Sequence, residues 1–236
     1  MLPGPHTLRS FDQLFDQARQ QLAQMGARAE RQLADAIECL NSGSRGLIDQ
    51  VMRHEAVINE LERSIDALAG QIMARQKPAA NDLRLLITLL KATTDLERIG
   101  DESKKIALAA RNVSSGRWPM RPPYVEIDRM ARNALDLLRR SVQILNRLDP
   151  QDAAEVSRAD AEVNDALRNV LRQLISYMIE DPRTISMCLD VLFIAKSLER
   201  IGDHAKNLAE HVVYAVSGED VRHASPDEVA RAAGPA

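Results

Sequence analysis

The sequence predicts an all-α protein of six long helices, arranged as two tandem, pseudo-symmetric three-helix bundles. Only 3% of its 236 residues are aromatic, whereas 45% are hydrophobic, a balance typical of helical rather than sandwich-like folds. Apolar residues recur every three or four positions, as on one face of an α-helix. The hexapeptide Leu-Glu-Arg-Ile-Gly-Asp occurs twice, beginning at Leu96 and at Leu198. We therefore expect an internal duplication with a period near 100 residues and no sheet.

The first two helices are predicted from an apolar stripe and its interruptions. Residues 8–40 carry that stripe almost without a break, and the polar segment 41–43 supplies a stop. A second stripe then continues to about Gln76, shortly before Pro78. Because proline cannot continue a helix, we place the second helix end there.

The third helix is expected to begin near Asn81 and Asp82, which can cap its first turn. It continues through the first hexapeptide and ends at Gly116. The proline-rich segment that follows, RWPMRPPY, indicates a domain boundary.

The second half repeats this plan. Asp149-Pro150 and Asp181-Pro182 each combine a capping residue with a proline, which predicts the starts of the fifth and sixth helices. Gly218 follows the second hexapeptide at the same distance as Gly116 follows the first. We therefore divide the chain into bundles over residues 1–117 and 118–218, and we expect residues 219–236 to form a mobile or marginally helical tail.

Charge and composition exclude several classes of protein. A formal net charge of −3 and a pI near 6.0 make nucleic acid an improbable partner. Cys39 and Cys188 are far apart in helical patterns, which favours buried free thiols. The N-terminus lacks a secretory pattern, and no apolar run approaches the roughly 20 residues that span a bilayer. Membrane contact is thus expected only through a partner.

Each hexapeptide carries two carboxylates on one helix face. Glu97 and Asp101, like Glu199 and Asp203, are four residues apart and extend an apolar stripe. Like charges at this spacing repel each other, so another group must offset them.

The second and fifth helices offer further oxygen ligands. Glu55 and Asn59 share a face of the second helix, and Asp160 and Asn164 take the corresponding place in the fifth. If neighbouring helices pack side by side, these oxygens converge as a hard cation such as magnesium, manganese, calcium or iron requires.

A second interpretation of the acidic faces needs no metal. Basic residues surround both copies and can neutralise a solvated acidic surface. They are Arg98, Lys104, Lys105, Arg200 and Lys206. Spacing alone leaves both interpretations open.

Gly100 and Gly202 occupy the same place in the two hexapeptides. A glycine inside a helix costs about 1 kcal/mol relative to alanine. Its repetition predicts that a neighbouring backbone, a metal or a partner comes close at that point.

Catalytic motifs are missing from the sequence. There is no Glu-x-x-His pair of the di-iron type, no phosphate-binding glycine loop and no nucleophile elbow. His54, His204, His211 and His223 have no evident companions. We therefore expect a binding protein rather than an enzyme, with a carboxylate-bridged metalloenzyme and a metal-free helical scaffold as alternatives.

Several segments together resemble the PhoU family of phosphate-signalling accessory proteins. They are both hexapeptides, the segments 55–59 and 160–164, the stretch LRQLISYMIEDPRTI over 171–185, and Val221-Arg222-His223. The resemblance extends from about Leu8 to His223.

The resemblance implies a fold of two three-helix bundles, usually in a homodimer. It also implies a cytoplasmic regulator that binds the ATPase of the phosphate ABC transporter and a sensor histidine kinase. Such a protein keeps the phosphate-starvation response off when phosphate is plentiful.

Some members of the family bind iron, zinc, magnesium or manganese through Glu/Asp-x-x-x-Asp motifs. In this chain those motifs fall on Glu97 and Asp101 and on Glu199 and Asp203. Asn59 and Asn164 depart from a full carboxylate pattern, because a neutral amide is a weaker ligand.

Overall fold

The computed structural model describes residues 9–76, 78, 80–115 and 124–234, and within them it contains helices and no strand. The all-α prediction is confirmed. The helices are α1 (Arg9–Ser42), α2 (Arg45–Gln76), α3 (Ala80–Ser115), α4 (Tyr124–Arg147), α5 (Ala153–Glu180), α6 (Ile185–Ser217) and α7 (Pro226–Ala233), with a 3-10 turn over Pro182–Thr184.

Helices α1, α2 and α3 pack on one another in the first half, and α4, α5 and α6 do so in the second. The two bundles join mainly through α3 and α6, with a smaller contact between α1 and α4. Their buried side chains form one continuous apolar core. Removal of this apolar surface from water is the main term that holds the six helices together. Fully buried members include Met25, Leu33, Ile58, Ile65, Leu96, Ile99, Met130 and Leu138.

The α3–α6 seam is antiparallel and carries two buried carboxyl groups. Asp95 accepts hydrogen bonds from His204 Nδ1 and His211 Nε2, each at 2.8 Å. Glu102 accepts a bond from Ser197 Oγ at 2.8 Å. Asp95 and Ser197 are counterparts 102 residues apart, and so are Glu102 and His204. The same contact is therefore made twice about a pseudo-twofold axis.

The start of the fifth helix was predicted three residues too early. Helix α5 begins at Ala153 rather than after Asp149-Pro150. Leu148 adopts a left-handed conformation with φ of 52°, and the Asp149 carboxylate accepts a bond from the Gln151 N–H at 3.2 Å. Asp149 and Pro150 therefore belong to the turn before the helix.

At the sixth helix the Asp-Pro signal agrees with the structure. Asp181 accepts a bond from the Arg183 N–H at 3.0 Å, and Pro182 opens the 3-10 turn that leads into α6. Helix α3 already begins at Ala80, so Asn81 and Asp82 lie in its first turn. The predicted stop at Gly116 and most of the proline-rich segment lie outside the described residues.

The chain after α6, predicted to be a mobile or marginally helical tail, contains a short helix. Residues 226–233 form α7, which packs against α5 and α6. Ser225 and Glu228 form a capping box at its start, and Val221 and Val229 are buried. A capping box satisfies two backbone donors, and the buried valines hold the segment to the bundle.

Candidate functional site

The first acidic site lies between α2 and α3 and contains its own cation. The ammonium of Lys104 lies 2.8 Å from Glu55 Oε1 and 2.7 Å from Asp101 Oδ1. Gln32 of α1 donates to Glu55 Oε2 at 3.0 Å. Glu55 is 5% exposed, so both of its oxygens are paired inside the protein.

The negative charge in the rest of this site is only partly compensated, by Arg98 Nε at 3.6 Å from Glu97 Oε2. Burial first, and then Asp101 and Glu62, raise the pKa of Glu97, and Arg98 only partly opposes them. Burial and Asp66 likewise raise the pKa of Glu62. The hydrogen bond from Lys104 lowers the pKa of Asp101. The charge repulsion predicted between Glu97 and Asp101 is thus present.

The second acidic site lies between α5 and α6 and is built around Asp160. This residue is 5% exposed, and Asn164 donates to its Oδ2 at 3.3 Å. Its Oδ1 is buried and has no hydrogen-bond partner in the structure. Burial, followed by repulsion from Asp203, raises the pKa of Asp160 to about 6. Burial and Glu199 raise the pKa of Asp203 as well.

One lysine of the second half pairs with Glu210, outside the acidic site, and another pairs with Glu199, within it. Lys206 is the counterpart of Lys104, but its ammonium lies 3.7 Å from Glu210 Oε1. Lys196 contacts both oxygens of Glu199 at 2.9 Å. The basic residues singled out in the sequence therefore neutralise the first site more completely than the second.

The two repeated glycines face these buried carboxyl groups. A Cβ placed on Gly100 would lie 3.0 Å from Gln32 Oε1 and 3.1 Å from Glu55 Oε2. A Cβ placed on Gly202 would lie 3.0 Å from Asp160 Oδ1. In both halves the group that comes close is the side chain of a neighbouring helix.

The surroundings of the two glycines correspond residue by residue. Glu55 and Asp160, Ile58 and Val163, and Gln32 and Leu137 are each 105 positions apart, and each pair contributes to both glycine sites. Only the last pair changes chemistry, from an amide to an apolar side chain. Asp160 consequently lacks the donor that Glu55 receives.

The described residues contain no cluster of three or more imidazole, thiol or carboxyl groups that could hold a metal ion as they stand. The donors do suit a hard cation in kind, since they are carboxylate and amide oxygens. Asp160 Oδ1 and Asn59 Oδ1 are buried acceptors without a partner. In the first site, the Lys104 ammonium lies where a cation would contact Glu55 and Asp101.

Sequence reasoning missed the cluster around Asp95. Burial acts to raise the pKa of Asp95, but hydrogen bonds from His204, His211 and Asn207 outweigh it and hold that pKa at about 2. The two histidines that lacked companions in the sequence therefore share a carboxylate. The 102-residue repeat makes α3 and α6 equivalent, but only their antiparallel packing brings Asp95 to residues 109 and 116 positions away.

None of the helices among the described residues combines the length and apolar character needed to cross a bilayer. This agrees with the apolar runs in the sequence.

A family model described as PhoU domain matches the chain twice, over residues 22–110 and 127–212. Two relatives are named phosphate-specific transport system accessory protein PhoU, the first as a homolog. The relative from Pseudomonas putida is 40% identical over 219 residues, covering 92% of this chain and 85% of its own. The relative from Escherichia coli (strain K12) is 34% identical over 224 residues, covering 95% and 92%.

Two crystal structures share the fold. PhoU from Pseudomonas aeruginosa superimposes with a TM-score of 0.84 at 40% identity, covering 89% of this chain and 100% of its own. The phosphate transport system regulatory protein PhoU from Streptococcus pneumoniae has a TM-score of 0.80 and covers 89% and 99%. Its identity of 22% supports the fold alone.

Proposed function

This chain belongs to the PhoU family, and on that basis we propose that it regulates phosphate uptake and phosphate signalling. It acts in the cytoplasm as a homodimer and binds the ATPase of the phosphate ABC transporter and a sensor histidine kinase. Through these contacts it keeps the phosphate-starvation response off when phosphate is plentiful, without catalytic turnover. One observation carries the proposal: proteins named as accessory to phosphate transport match more than nine-tenths of the chain at 34–40% identity.

We further propose that the acidic sites bind metal ions, and that the second site binds an ion more tightly than the first. Asp160, Asn164 and Asp203 supply its oxygens, and Glu199 joins them when the Lys196 side chain moves away. Asp160 has an unpartnered buried oxygen, and burial, followed by repulsion from Glu199, raises the pKa of Asp203. A bound cation of the iron, zinc, magnesium or manganese type offsets this repulsion and stabilises the ionised carboxylates.

The first site binds an ion less readily. Glu55 and Asp101 already contact the Lys104 ammonium. Metal binding by Glu55, Asn59, Glu97 and Asp101 therefore requires the lysine side chain to leave. This difference predicts two unequal affinities in one chain.

Manganese titration of the chelator-treated protein tests the metal proposal. Electron paramagnetic resonance measures free Mn²⁺, and we expect one tighter and one weaker class of site. Asp160→Asn combined with Asp203→Asn removes the tighter class. Asp165→Asn on the exposed face of α5 is the matched control and leaves both classes unchanged. An equal loss of Mn²⁺ binding in the double variant and in the control, or no Mn²⁺ binding by the unaltered protein, would contradict the proposal.

A reporter of the phosphate-starvation response tests the regulatory role. The chain is expressed in cells that lack their own family member, and we expect repression in phosphate-rich medium. Affinity capture from the same cells should recover the transporter ATPase and the kinase. Normal repression without either contact would contradict the proposed mode of action, and absence of repression would contradict the role.

A further inference from the structure

A groove of about 470 Å³ lies between the C-terminal half of α3 and the N-terminal half of α6. Phe193, one of three phenylalanines in the chain, lines it and is 61% exposed. Leu108 lines the opposite wall and is 36% exposed. Exposed aromatic side chains in a concave surface are typical anchors of protein interfaces.

The rim of this groove is positively charged. Lys105, Arg111, Lys196 and Arg200 all line it and are exposed. Of its two carboxyl groups, Glu102 accepts from Ser197 and also pairs with Lys105 at 2.9 Å and with Arg200 at 3.1 Å, and Asp190 accepts from Asn112 at 3.4 Å. Lys196 pairs with Glu199 beside the groove. Four basic side chains thus line the groove together with two carboxyl groups. The chain as a whole is acidic, with a formal charge of −3. The groove therefore has a local charge opposite to that of the molecule.

The pseudo-twofold axis relates this groove to the other end of the α3–α6 seam, which has different chemistry. The counterpart of Phe193 is Lys91, and the counterpart of Leu108 is Glu210. The Lys91 ammonium lies 5.5 Å from the centre of the Tyr214 ring. The exposed aromatic anchor is thus confined to one end.

At that other end, the chain continues beyond α6. Gly218 lies against the Arg84 guanidinium of α3. Beyond it, Asp220 accepts a hydrogen bond from Arg222 Nε of the same segment at 2.9 Å. Val221, between these charged residues, is 5% exposed. The segment that carries this buried valine therefore begins at the end of the seam opposite the open groove.

We propose that the groove at Phe193 and Leu108 binds an acidic segment of a partner protein that carries one or two large apolar side chains. The apolar side chain packs on Phe193, and the carboxylates pair with the cationic rim. The proposal rests on the proposed function only in that a regulator of this kind acts through protein partners.

Fluorescence anisotropy of labelled twelve-residue peptides with the full chain tests the proposal. One peptide alternates Glu and Asp with Leu and Phe, the second replaces its acids with Lys, and the third replaces its apolar residues with Ser. We expect only the first to bind, and its affinity to fall as salt rises. Phe193→Ala should weaken it about tenfold, as for an interface anchor. Arg111→Glu should weaken it to a similar extent.

Val125→Ala provides the matched control, because Val125 is 79% exposed on α4. It should leave peptide binding unchanged, and circular dichroism should show that all variants remain folded. Binding that is equal for the three peptides, or unaffected by Phe193→Ala, would overturn the proposal. So would sedimentation showing that Phe193→Ala dissociates a dimer, since the groove would then be covered by a second copy. The peptide assay involves neither transporter nor kinase, so its failure leaves the regulatory role to be judged by the reporter.

Discussion

The two halves of this protein hold a buried carboxyl group in the same place but treat it differently. Glu55 receives the Gln32 amide and the Lys104 ammonium. At its counterpart Asp160, Leu137 takes the place of Gln32; one oxygen accepts from Asn164 and the other has no partner. Duplication thus preserved the backbone geometry beside each glycine while the electrostatics diverged. One half neutralises its carboxylate internally, and the other retains an unsatisfied acceptor.

Filling the space beside Gly100 should have the largest effect. Gly100→Leu places a side chain against three groups within 3.3 Å, so we expect a loss of about 3 kcal/mol in the free energy of unfolding. Gly202→Leu should lose less, because two of its three neighbours are at 3.6 Å or beyond. Urea unfolding measures both.

Gly70→Leu on α2 is the control, since nothing lies within 4 Å of that position. It should be neutral or slightly stabilising because leucine favours helix. If all three substitutions have the same effect, close approach does not explain the repeated glycine.

The raised pKa of Asp160 predicts that ionisation of this residue lowers the free energy of unfolding in a pH-dependent way. Its pKa is about 6 when folded and about 4 when unfolded, so the folded state holds the extra proton between these values. Stability therefore falls as pH rises through this window, and the penalty is complete near pH 7. Asp160→Asn should stabilise the chelator-treated protein at neutral pH by about 2 kcal/mol and have little effect near pH 4. Unfolding free energies across this range measure the difference, and a gain that is constant with pH would contradict the assignment.

Removal of the Lys104 ammonium, the internal cation of the first half, should lower the free energy of unfolding by a smaller amount. Lys104→Met leaves Glu55 and Asp101 without their shared donor, and partial exposure of the lysine moderates the loss to about 1.5 kcal/mol. Lys206→Met removes only a 3.7 Å contact and should cost less than about 0.5 kcal/mol. Thermal and urea unfolding compare the pair. Equal losses would mean that the two lysines do not differ in role.

The smallest effect is expected when Leu137, the counterpart of Gln32, is replaced by an amide. Leu137→Gln gives the second half the amide of the first, and a donor to Asp160 should lower its pKa by about one unit. Carboxyl NMR titration measures that pKa directly. Leu137→Met, which conserves volume without adding a donor, should leave it unchanged.

Local features of the sequence were sufficient to predict the helices and both acidic faces. The three-and-four periodicity and the Asp181-Pro182 start depend only on neighbouring residues. The role of Gln32 could not be predicted, because it depends on which face of α1 packs against α2 and α3. Asp95 was missed for the same reason, since its partners are more than 100 positions away. The predicted start of α5 was wrong because the pair Asp149-Pro150 is as compatible with a turn as with the first turn of a helix.

The doubled contact across the α3–α6 seam bears on how this molecule arose. A pair of identical half-length chains, related by a true twofold axis, would form one such contact at each end of the seam. Joining the two copies in a single gene frees each position to mutate independently of its twin. Asp95 with His204, and Ser197 with Glu102, occupy equivalent positions but differ in residue type. The same freedom allowed one end to acquire Phe193 while the other acquired Lys91.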